Sequence, residues 1–253
     1  MLKVECDKSN VLLLNNTVVE SVDKLNHYII KTPSIIYESE TLVIATGGLS
    51  IPKIGASKFG YDIANQFGLN IIDTLPALVP LTFSEEILKE CKELSGLSVE
   101  AQVSHKKILF EEGMLFTHRG LSGPSILQIS SYWKLGEQIQ INLSPNQNIF
   151  SYLEEKKLHS PKQEINSIIS ELLPKRLANM ICDNLKVSGR IADMSKKVLI
   201  LISDFINTWT IKPTGTEGYR TAEVTLGGVD TKELSSKTMM SKKNKGLYFI
   251  GEV

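Results

Sequence analysis

Two glycine-containing segments that follow apolar runs are the first candidates for chemistry in this sequence. The apolar run that ends at Ala45 leads into Thr46–Gly48, and the run Leu247–Ile250 leads into Gly251–Glu252. A glycine after a buried strand lets the backbone approach a ligand that a Cβ atom would repel. Thr46 adds a hydroxyl, and an acid such as Glu252 can accept hydrogen bonds from ribose or ribityl hydroxyls. Each segment alone could be a simple turn, but together they favour a dinucleotide site, because ligands of open α/β sheets bind at the carboxyl ends of strands.

Three other side chains are weaker candidates for a catalytic role. His118 and Arg119 lie in a loop rich in glycine, serine and proline, where they could face an anion or a substrate, or where the arginine could simply pair with an acid. Arg220, close in sequence to Glu217 and Glu223, could bind a substrate or form a structural ion pair. No spacing indicates Ser/His/Asp or Cys/His catalysis, and the histidines are not spaced as metal ligands, so no metal site is predicted.

Composition narrows the classes of partner. The chain carries 28 Lys+Arg and 28 Asp+Glu, a formal net charge of zero. Dedicated nucleic-acid binders usually have a basic excess, so the balance predicts no nucleic-acid partner. The longest strongly apolar run, Val198–Ile202, is far shorter than the roughly 20 residues of a membrane helix. Three widely spaced cysteines without a C-x-x-C pair fit a reducing compartment, which predicts a cytoplasmic location.

Hydrophobic periodicity predicts an order of strands, barrel, helices and strands. The predicted early elements are hairpin strands at Val11–Leu14, Thr17–Val19, His27–Ile30 and Ile35–Tyr37 and a helix at Tyr61–Gly68. Two-residue alternation predicts barrel strands at Val79–Phe83, Val99–Val103, Lys107–Phe110 and Gln138–Leu143. Between the first two, Ser84 is predicted to cap a short helix.

Three amphipathic helices are predicted next. The first begins with Ser160 as N-cap and Pro161 at the first helical position. The second follows Pro174. The third runs from about Asp193, and its predicted inward side chains are Val198, Leu201, Ile202, Phe205 and Trp209.

The two ends of the chain are expected to belong to one α/β domain with the middle inserted. Residues 1–77 form the first part of that domain and residues 212–253 the return to it. The insert covers residues 78–211, with a β-barrel at about 78–145 and a helical part at about 146–211.

These motifs resemble the YhiN-like (BaiN/RdsA) family of NAD(P)/FAD-dependent oxidoreductases, which are flavoproteins. The segments that carry the resemblance are Leu42–Ser50, Ile54–Ser57, Phe59–Ala64, Phe116–Pro124, Leu127–Trp133, Gly215–Asp230 and Gly246–Val253. The block that begins at Gly215 is specific, unlike a lone glycine pattern, and the matches cover most of the chain.

The resemblance implies a Rossmann-like FAD-binding domain interrupted by an insert of antiparallel β-barrel plus a small helical bundle. It implies that Thr46 and Gly47 lie by the FAD, that Thr225–Val229 run near the flavin ring, and that Gly251–Glu252 contact the ribityl–phosphate region. The predicted cofactor-binding residues are therefore Thr46, Gly47, Gly48, Thr225, Gly227, Gly228, Val229, Gly251 and Glu252.

One departure from the family pattern affects this prediction. No G-x-G-x-x-G occurs in the sequence, whereas a Rossmann FAD domain begins with that turn and holds the pyrophosphate at the following helix. The chain therefore resembles an internal fragment that lacks the N-terminal GxGxxG unit and the C-terminal FAD loop. We expect the missing N-terminal segment to be a partner, and this polypeptide alone to bind FAD weakly or not at all.

Two functions follow from these observations. The first is an FAD-dependent oxidoreductase that passes electrons between a reduced nicotinamide, NAD(P)H, or a small organic substrate and an acceptor, with inactivity of this chain alone as one outcome. The second is a non-catalytic remnant that retains the barrel and helices as a folded binding module. The sequence does not decide whether this chain is itself an enzyme.

Overall fold

The computed structural model describes residues 1–253, which form eight α-helices and fourteen β-strands. The helices are α1 (Leu2–Lys8), α2 (Phe59–Gln66), α3 (Glu85–Glu93), α4 (Pro124–Ser130), α5 (Ile149–His159), α6 (Ile165–Ile169), α7 (Lys175–Leu185) and α8 (Lys196–Thr208). The strands are β1 (Ser21–Lys24), β2 (Tyr28–Lys31), β3 (Ile36–Ser39), β4 (Leu42–Ile44), β5 (Ile71–Ala77), β6 (Leu81–Thr82), β7 (Ser98–His105), β8 (Ile108–Thr117), β9 (Gly120–Ser122), β10 (Ile139–Asn142), β11 (Trp209–Ile211), β12 (Gly215–Thr216), β13 (Val224–Val229) and β14 (Leu247–Phe249). No helix is both long enough and apolar enough to cross a membrane. The predicted mixed α/β class is confirmed.

The chain divides into two compact units. The first unit comprises Met1–Gly47, Ser57–Ile72 and Gly227–Val253, and the second comprises Gly48–Ala56 and Asp73–Leu226. The main divisions thus fall after residues 72 and 226, whereas the sequence predicts domain boundaries after residues 77 and 211. Strands β5 and β13 pair with each other, and each contains one of these division points.

The first unit contains two small sheets and one core helix. Strands β1, β2 and β3 form an antiparallel meander, and β4 pairs in parallel with β14. Helix α2 buries Ile63 and Ala64, which confirms the predicted helix in this segment. The buried core of the unit has nine members: Val22, Tyr28, Ile44, Ile63, Ala64, Leu69, Val229, Leu247 and Phe249.

The predicted strands near the N-terminus are partly wrong. Val11–Leu14 and Thr17–Val19 are not strands, and the apolar side chains of Val11–Leu14 are exposed. A strand needs a hydrogen-bonded neighbour and a face to bury, and this segment has neither. The strand that does pair is β1, whose Val22 enters the core. Helix α1, which the pattern did not indicate, buries no side chain.

The second unit is built on a seven-stranded sheet in the order β11-β10-β7-β8-β9-β6-β12. Its edge strands β11 and β12 are consecutive in the chain and are joined by only three residues, 212–214. Since three residues span about 10 Å when extended, the two edges lie together and the sheet curls into a barrel. The long β7–β8 hairpin alternates buried and exposed positions, with Val99, Ala101 and Val103 facing inward. The predicted barrel is thus confirmed.

The helical part contains four helices, α5 to α8, rather than the three predicted. Ser160 is the C-cap of α5 and not the N-cap of a new helix, which instead begins at Ile165 after a bridge between Glu164 and Arg190. The Ser-Pro-x-Gln pattern at residues 160–163 therefore follows the end of helix α5 and does not begin a new helix. The signal for α5 is Asn148, whose side chain accepts a hydrogen bond from the Ser151 N–H at 2.9 Å.

Helix α8 begins at Lys196, with Ser195 as its N-cap, and confirms the third predicted helix. The face that it buries differs from the predicted one. Leu199, Ile202 and Ile206 are buried, whereas Leu201 is exposed and was wrongly predicted to face inward. Val198 and Phe205 are partly buried against the same core. Because Val198–Ile202 is continuously apolar, periodicity does not choose the phase of the helix.

Candidate functional site

The first unit brings the two glycine-ended strands together. Strands β4 and β14 run in parallel, and the Ile250 N–H donates to the Ile44 carbonyl at 3.0 Å. The segments that follow the two strands therefore leave the sheet at the same end. Gly47 and Gly251 follow with φ angles of +75° and +81°, and no atom lies within 4 Å of the position a Cβ would take at either residue. Two glycines without side chains therefore border open space where these two strands end.

Neighbouring segments of the same unit pack against this strand end. A Cβ at Gly60 of helix α2 would lie 2.2 Å from Thr46 Oγ1 and 2.6 Å from Val253 Cγ2. A Cβ at Gly228 would lie 3.1 Å from the Val253 backbone carbon. The strand-end cluster is thus defined as Thr46, Gly47, Gly60, Gly228, Gly251 and Glu252. Gly60 is the member that the sequence analysis did not predict. Its position in the first turn of helix α2, soon after the glycine-ended strand β4, is the feature of the sequence that indicates a close approach there.

The nine predicted cofactor-binding residues are divided between the two units. Seven of them belong to the first unit: Thr46, Gly47, Gly227, Gly228, Val229, Gly251 and Glu252. Val229 is buried in the core beneath the cluster, and Gly227 is exposed. Gly48 and Thr225 belong to the second unit.

Thr225 holds the loop that follows Gly48. The Leu49 N–H donates to Thr225 Oγ1 at 2.8 Å, and the Ser50 hydroxyl lies 3.0 Å from the same oxygen. Ile51, with a φ of +53°, donates its N–H to the Tyr219 carbonyl at 2.9 Å. A β-branched residue in the left-handed region is strained, so this loop is held in place by its surroundings.

The weaker catalytic candidates meet around one carboxylate of the second unit. Arg119 Nη1 lies 3.1 Å and Arg220 Nη2 lies 3.7 Å from Glu217 Oε2. The predicted ion pair of Arg220 therefore involves Glu217, while Glu223 N–H donates to the Leu78 carbonyl. His118 is exposed beside Arg119, and both line a cavity of about 340 Å³ together with Thr117 and Glu217.

A larger cavity of about 520 Å³ lies elsewhere in the second unit. Its lining is mostly apolar and includes Leu75, Tyr132, Trp133 and Leu226, with Ser131 among the few polar members. Trp133 is nearly buried, and its Nε1–H donates to the Glu137 carbonyl at 2.8 Å. The Tyr132 ring is half exposed at the cavity. Cavities of this size and character are typical binding sites for small organic groups.

The buried His105 side chain has two polar neighbours, which lie before strand β10. His105 Nδ1 lies 3.0 Å from the Gln138 carbonyl oxygen, and Nε2 lies 2.9 Å from Glu137 Oε2. A hydrogen bond from Lys106 lowers the pKa of the Glu137 carboxyl. The histidine therefore links β7 to the turn before β10.

Comparison with known proteins identifies the family. A family profile described as "HI0933-like protein barrel and H2TH domain" matches residues 75–224, which is more than half of the chain. The chain belongs to the HI0933-like family. This family is part of the FAD-dependent oxidoreductase superfamily, so the resemblance stated from the motifs is confirmed. The matched residues contain the barrel and the four-helix part described above.

Three relatives match along the whole of this chain. It is 47% identical to "Ribosomal RNA dihydrouridine synthase" of Escherichia coli (strain K12) and 44% identical to the protein of the same name from Haemophilus influenzae (strain ATCC 51907 / DSM 11121 / KW20 / Rd). It covers 64% and 65% of the lengths of these two relatives. It is also 22% identical to "3-dehydro-bile acid delta(4,6)-reductase" of Clostridium scindens (strain ATCC 35704 / DSM 5676 / VPI 13733 / 19), of which it covers 65%.

The strand-end cluster fits part of the cofactor that the family implies. Open space beside Gly47 and Gly251 admits a ligand close to the backbone, and the exposed Glu252 carboxylate at the same end suits a hydroxyl-bearing chain such as ribityl. These residues therefore suit the sugar-like part of FAD.

Proposed function

We propose that the whole protein is an FAD-dependent reductase whose substrate is a uridine base of ribosomal RNA. The observation that supports this proposal is the pair of parallel strands β4 and β14, whose glycine ends meet at one open edge in the first unit. Identity of 47% and 44% to two ribosomal RNA dihydrouridine synthases, over all of this chain, supports the substrate class. The charge balance of the chain favours the opposite, a protein without a nucleic-acid partner, and that expectation stays a prediction.

The residues of the strand-end cluster have defined roles in this proposal. Gly47 and Gly251 leave room for the ribityl chain, and Glu252 accepts hydrogen bonds from its hydroxyls. FAD, when bound, supplies the hydride chemistry that saturates a carbon–carbon double bond. Conversion of uridine to dihydrouridine adds one hydride and one proton to the base, and reduced nicotinamide, NADH or NADPH, is proposed as the source of the two electrons.

The insert is proposed to form the wall of the substrate pocket. The cavity of about 520 Å³ beside Tyr132 and Trp133 is the candidate, since an exposed aromatic ring provides a surface on which a base can stack. Lys134 is the one charged residue of its mostly apolar lining, which suits an uncharged base rather than a phosphate.

Two measurements test the proposal. FAD binding is followed by quenching of flavin fluorescence, with FAD in excess because weak affinity is expected. Gly251→Ala is expected to weaken binding at least about fivefold, because its side chain enters the open space. Gly189→Ala is the matched control: Gly189 has a φ of +97° and equally open surroundings, but lies in the helical part. Equal loss in both variants would contradict the assignment of the cluster.

The substrate is tested by incubating the FAD-saturated protein with NADH or NADPH and ribosomal RNA that lacks dihydrouridine. We expect the dihydrouridine content of the digested RNA, measured by mass spectrometry, to rise. If the protein reduces a small enone but forms no dihydrouridine in the RNA, the result would instead favour the small organic substrate that the sequence analysis predicts.

A second candidate function is the non-catalytic module of barrel and helices. It is supported by the concentration of buried side chains in the second unit, which contains the matched residues 75–224. In that case neither FAD binding nor reduction would be detected, while the module would remain folded.

A further inference from the structure

Arg119, Glu217 and Arg220, named here the arginine cluster, carry an excess of positive charge at one point of the second unit. Both guanidinium contacts are made to the same carboxylate oxygen, Glu217 Oε2, at 3.1 and 3.7 Å. The Glu217 side chain is only 10% exposed, whereas those of Arg119 and Arg220 are 42% and 55% exposed. One carboxylate neutralises one arginine, so the cluster keeps a formal charge of +1.

The backbone holds the arginine cluster in place. Arg119 N–H donates to Thr117 Oγ1 at 3.2 Å, and Glu217 N–H donates to the Pro80 carbonyl at 3.0 Å. Arg220 lies in a turn in which the N–H of Thr221 donates to the Gly218 carbonyl at 3.2 Å. The backbone at both arginines is therefore held in place before any ligand arrives, and each guanidinium is directed by its contact with Glu217.

The arginines retain donors for a ligand. A guanidinium has five N–H groups in a planar fork, and a single carboxylate oxygen accepts only a few of the ten available here. The neighbouring cavity of about 340 Å³ has Thr117, His118, Arg119 and Glu217 on its polar side and Leu115 and Phe116 on its apolar side, and it is large enough for a phosphate with part of its sugar. The planar fork of Arg119, which lines this cavity, matches the geometry of phosphate oxygens, and Arg220 adds positive charge beside it through their shared contact with Glu217.

We propose that the arginine cluster binds a backbone phosphate of the RNA substrate. The inference rests on the proposed function for its ligand class, and on the charge excess, exposure and cavity for its position. A phosphate contact positions the strand without reading its sequence, so the cluster would set where the RNA lies while the base is recognised elsewhere. It also reconciles an RNA substrate with a chain of zero net charge, because the positive charge is local.

The test measures the affinity of the whole chain for a fluorescently labelled single-stranded RNA oligonucleotide at several salt concentrations. Arg119→Gln and Arg220→Gln are each expected to weaken binding about three- to tenfold and to reduce the slope of log K against log salt by about 0.7. Arg190→Gln, which removes an exposed arginine of the helical part, is the charge-matched control and is expected to bind as the wild type does.

A variant of the opposite sign separates binding from structural support. Glu217→Gln removes the negative charge between the arginines, so it is expected to strengthen RNA binding. If the cluster were only a structural ion network, all three substitutions would weaken binding through loss of structure, and circular dichroism would reveal that loss. Arg119→Lys keeps the charge and is expected to bind between the wild type and Arg119→Gln, which gives a second readout if Glu217→Gln does not fold.

The outcomes are distinguishable from failure of the proposed function. Wild-type affinity in both arginine-to-glutamine variants overturns the site and leaves an RNA substrate possible elsewhere on the protein. Absence of any RNA binding by the wild type overturns both proposals. Displacement of the RNA by inorganic phosphate at millimolar concentration, without the salt-slope change, assigns the cluster to free anions and also overturns the inference.

Discussion

Glu171, on the surface of the helical part, is the acceptor of three side-chain hydrogen bonds. Lys156 donates to Oε2, Tyr152 donates to the same oxygen at 2.7 Å, and Gln163 donates to Oε1 at 2.6 Å. These bonds, that of Lys156 first, lower the pKa of the carboxyl to about 2. The group links helix α5 to the segment after α6, so its titration is coupled to the folding of this part of the molecule.

We expect Glu171→Gln to reduce the free energy of unfolding by about 1 kcal/mol or less at pH 7, since exposed ion pairs contribute little. Because the folded pKa lies below the ordinary 4.5, the stabilisation is present above pH 4.5 and disappears as the pH falls towards 2. The difference between wild type and variant, measured by urea unfolding at several pH values, should therefore shrink over this range.

Glu155→Gln serves as the matched control for that measurement, because Glu155 is exposed on helix α5, the helix to which Glu171 is hydrogen-bonded. A stability difference for Glu171→Gln that stays constant from pH 7 to pH 3 would contradict the role of the hydrogen bonds.

Strands β6 and β9 approach each other closely at Gly120, the residue after Arg119. Thr82 pairs with Gly120, and a Cβ at Gly120 would lie 2.1 Å from the Leu81 backbone oxygen. The φ of Gly120 is +145°, a value that side-chain-bearing residues rarely adopt. The residue thus joins two strands of the barrel and sets the path of the chain that carries Arg119.

We expect Gly120→Ala to destabilise the second unit by about 3 kcal/mol or more, because backbone strain is added to a clash with a backbone atom that has no room to move. Gly136→Ala is the control, since Gly136 has a φ of +92° and no neighbour within 4 Å, and should show the strain alone. Thermal unfolding of both variants measures the difference, and equal losses would contradict the close approach.

The two units differ in how much apolar surface they bury. The large buried cluster of the second unit has 34 members, whereas that of the first unit has nine. The first unit also exposes Val11–Leu14 and has Val43 half exposed in the parallel strand β4. Because burial of apolar side chains is the main stabilising term, the second unit is expected to be the more stable one.

Limited proteolysis tests this difference in stability. We expect early cleavage within residues 9–18, which are outside helices and strands, and persistence of a fragment that contains residues 73–226. Mass spectrometry of the fragments identifies the boundaries. Uniform resistance of the whole chain would contradict the expectation and would weaken the case for a separate binding module.

The elements that were predicted well share a strong local signal. Helix α2 and strand β7 each have a period that a core can bury, and both lie close to where the pattern placed them, whereas β8 continues to Thr117, well beyond the predicted end at Phe110. The errors fall where a local signal had two meanings. Ser160 resembles a helix start but ends α5, and the apolar run around Leu201 fits any helix phase. Only the packing of neighbouring helices decides between such alternatives.

The sequence by itself determined the family, the barrel with its helical part, and the glycine-ended strands, because each depends on motifs or periods that are local in the chain. Tertiary structure decided which of these residues meet. It aligned β4 with β14, added Gly60 to the strand-end cluster, placed Thr225 against Leu49, and brought Arg119 and Arg220 to one carboxylate. Most of these contacts, such as those of β4 with β14, Leu49 with Thr225 and Arg119 with Glu217, join residues about 100 or more positions apart, and they depend on how strands pair and helices pack, which no local pattern encodes.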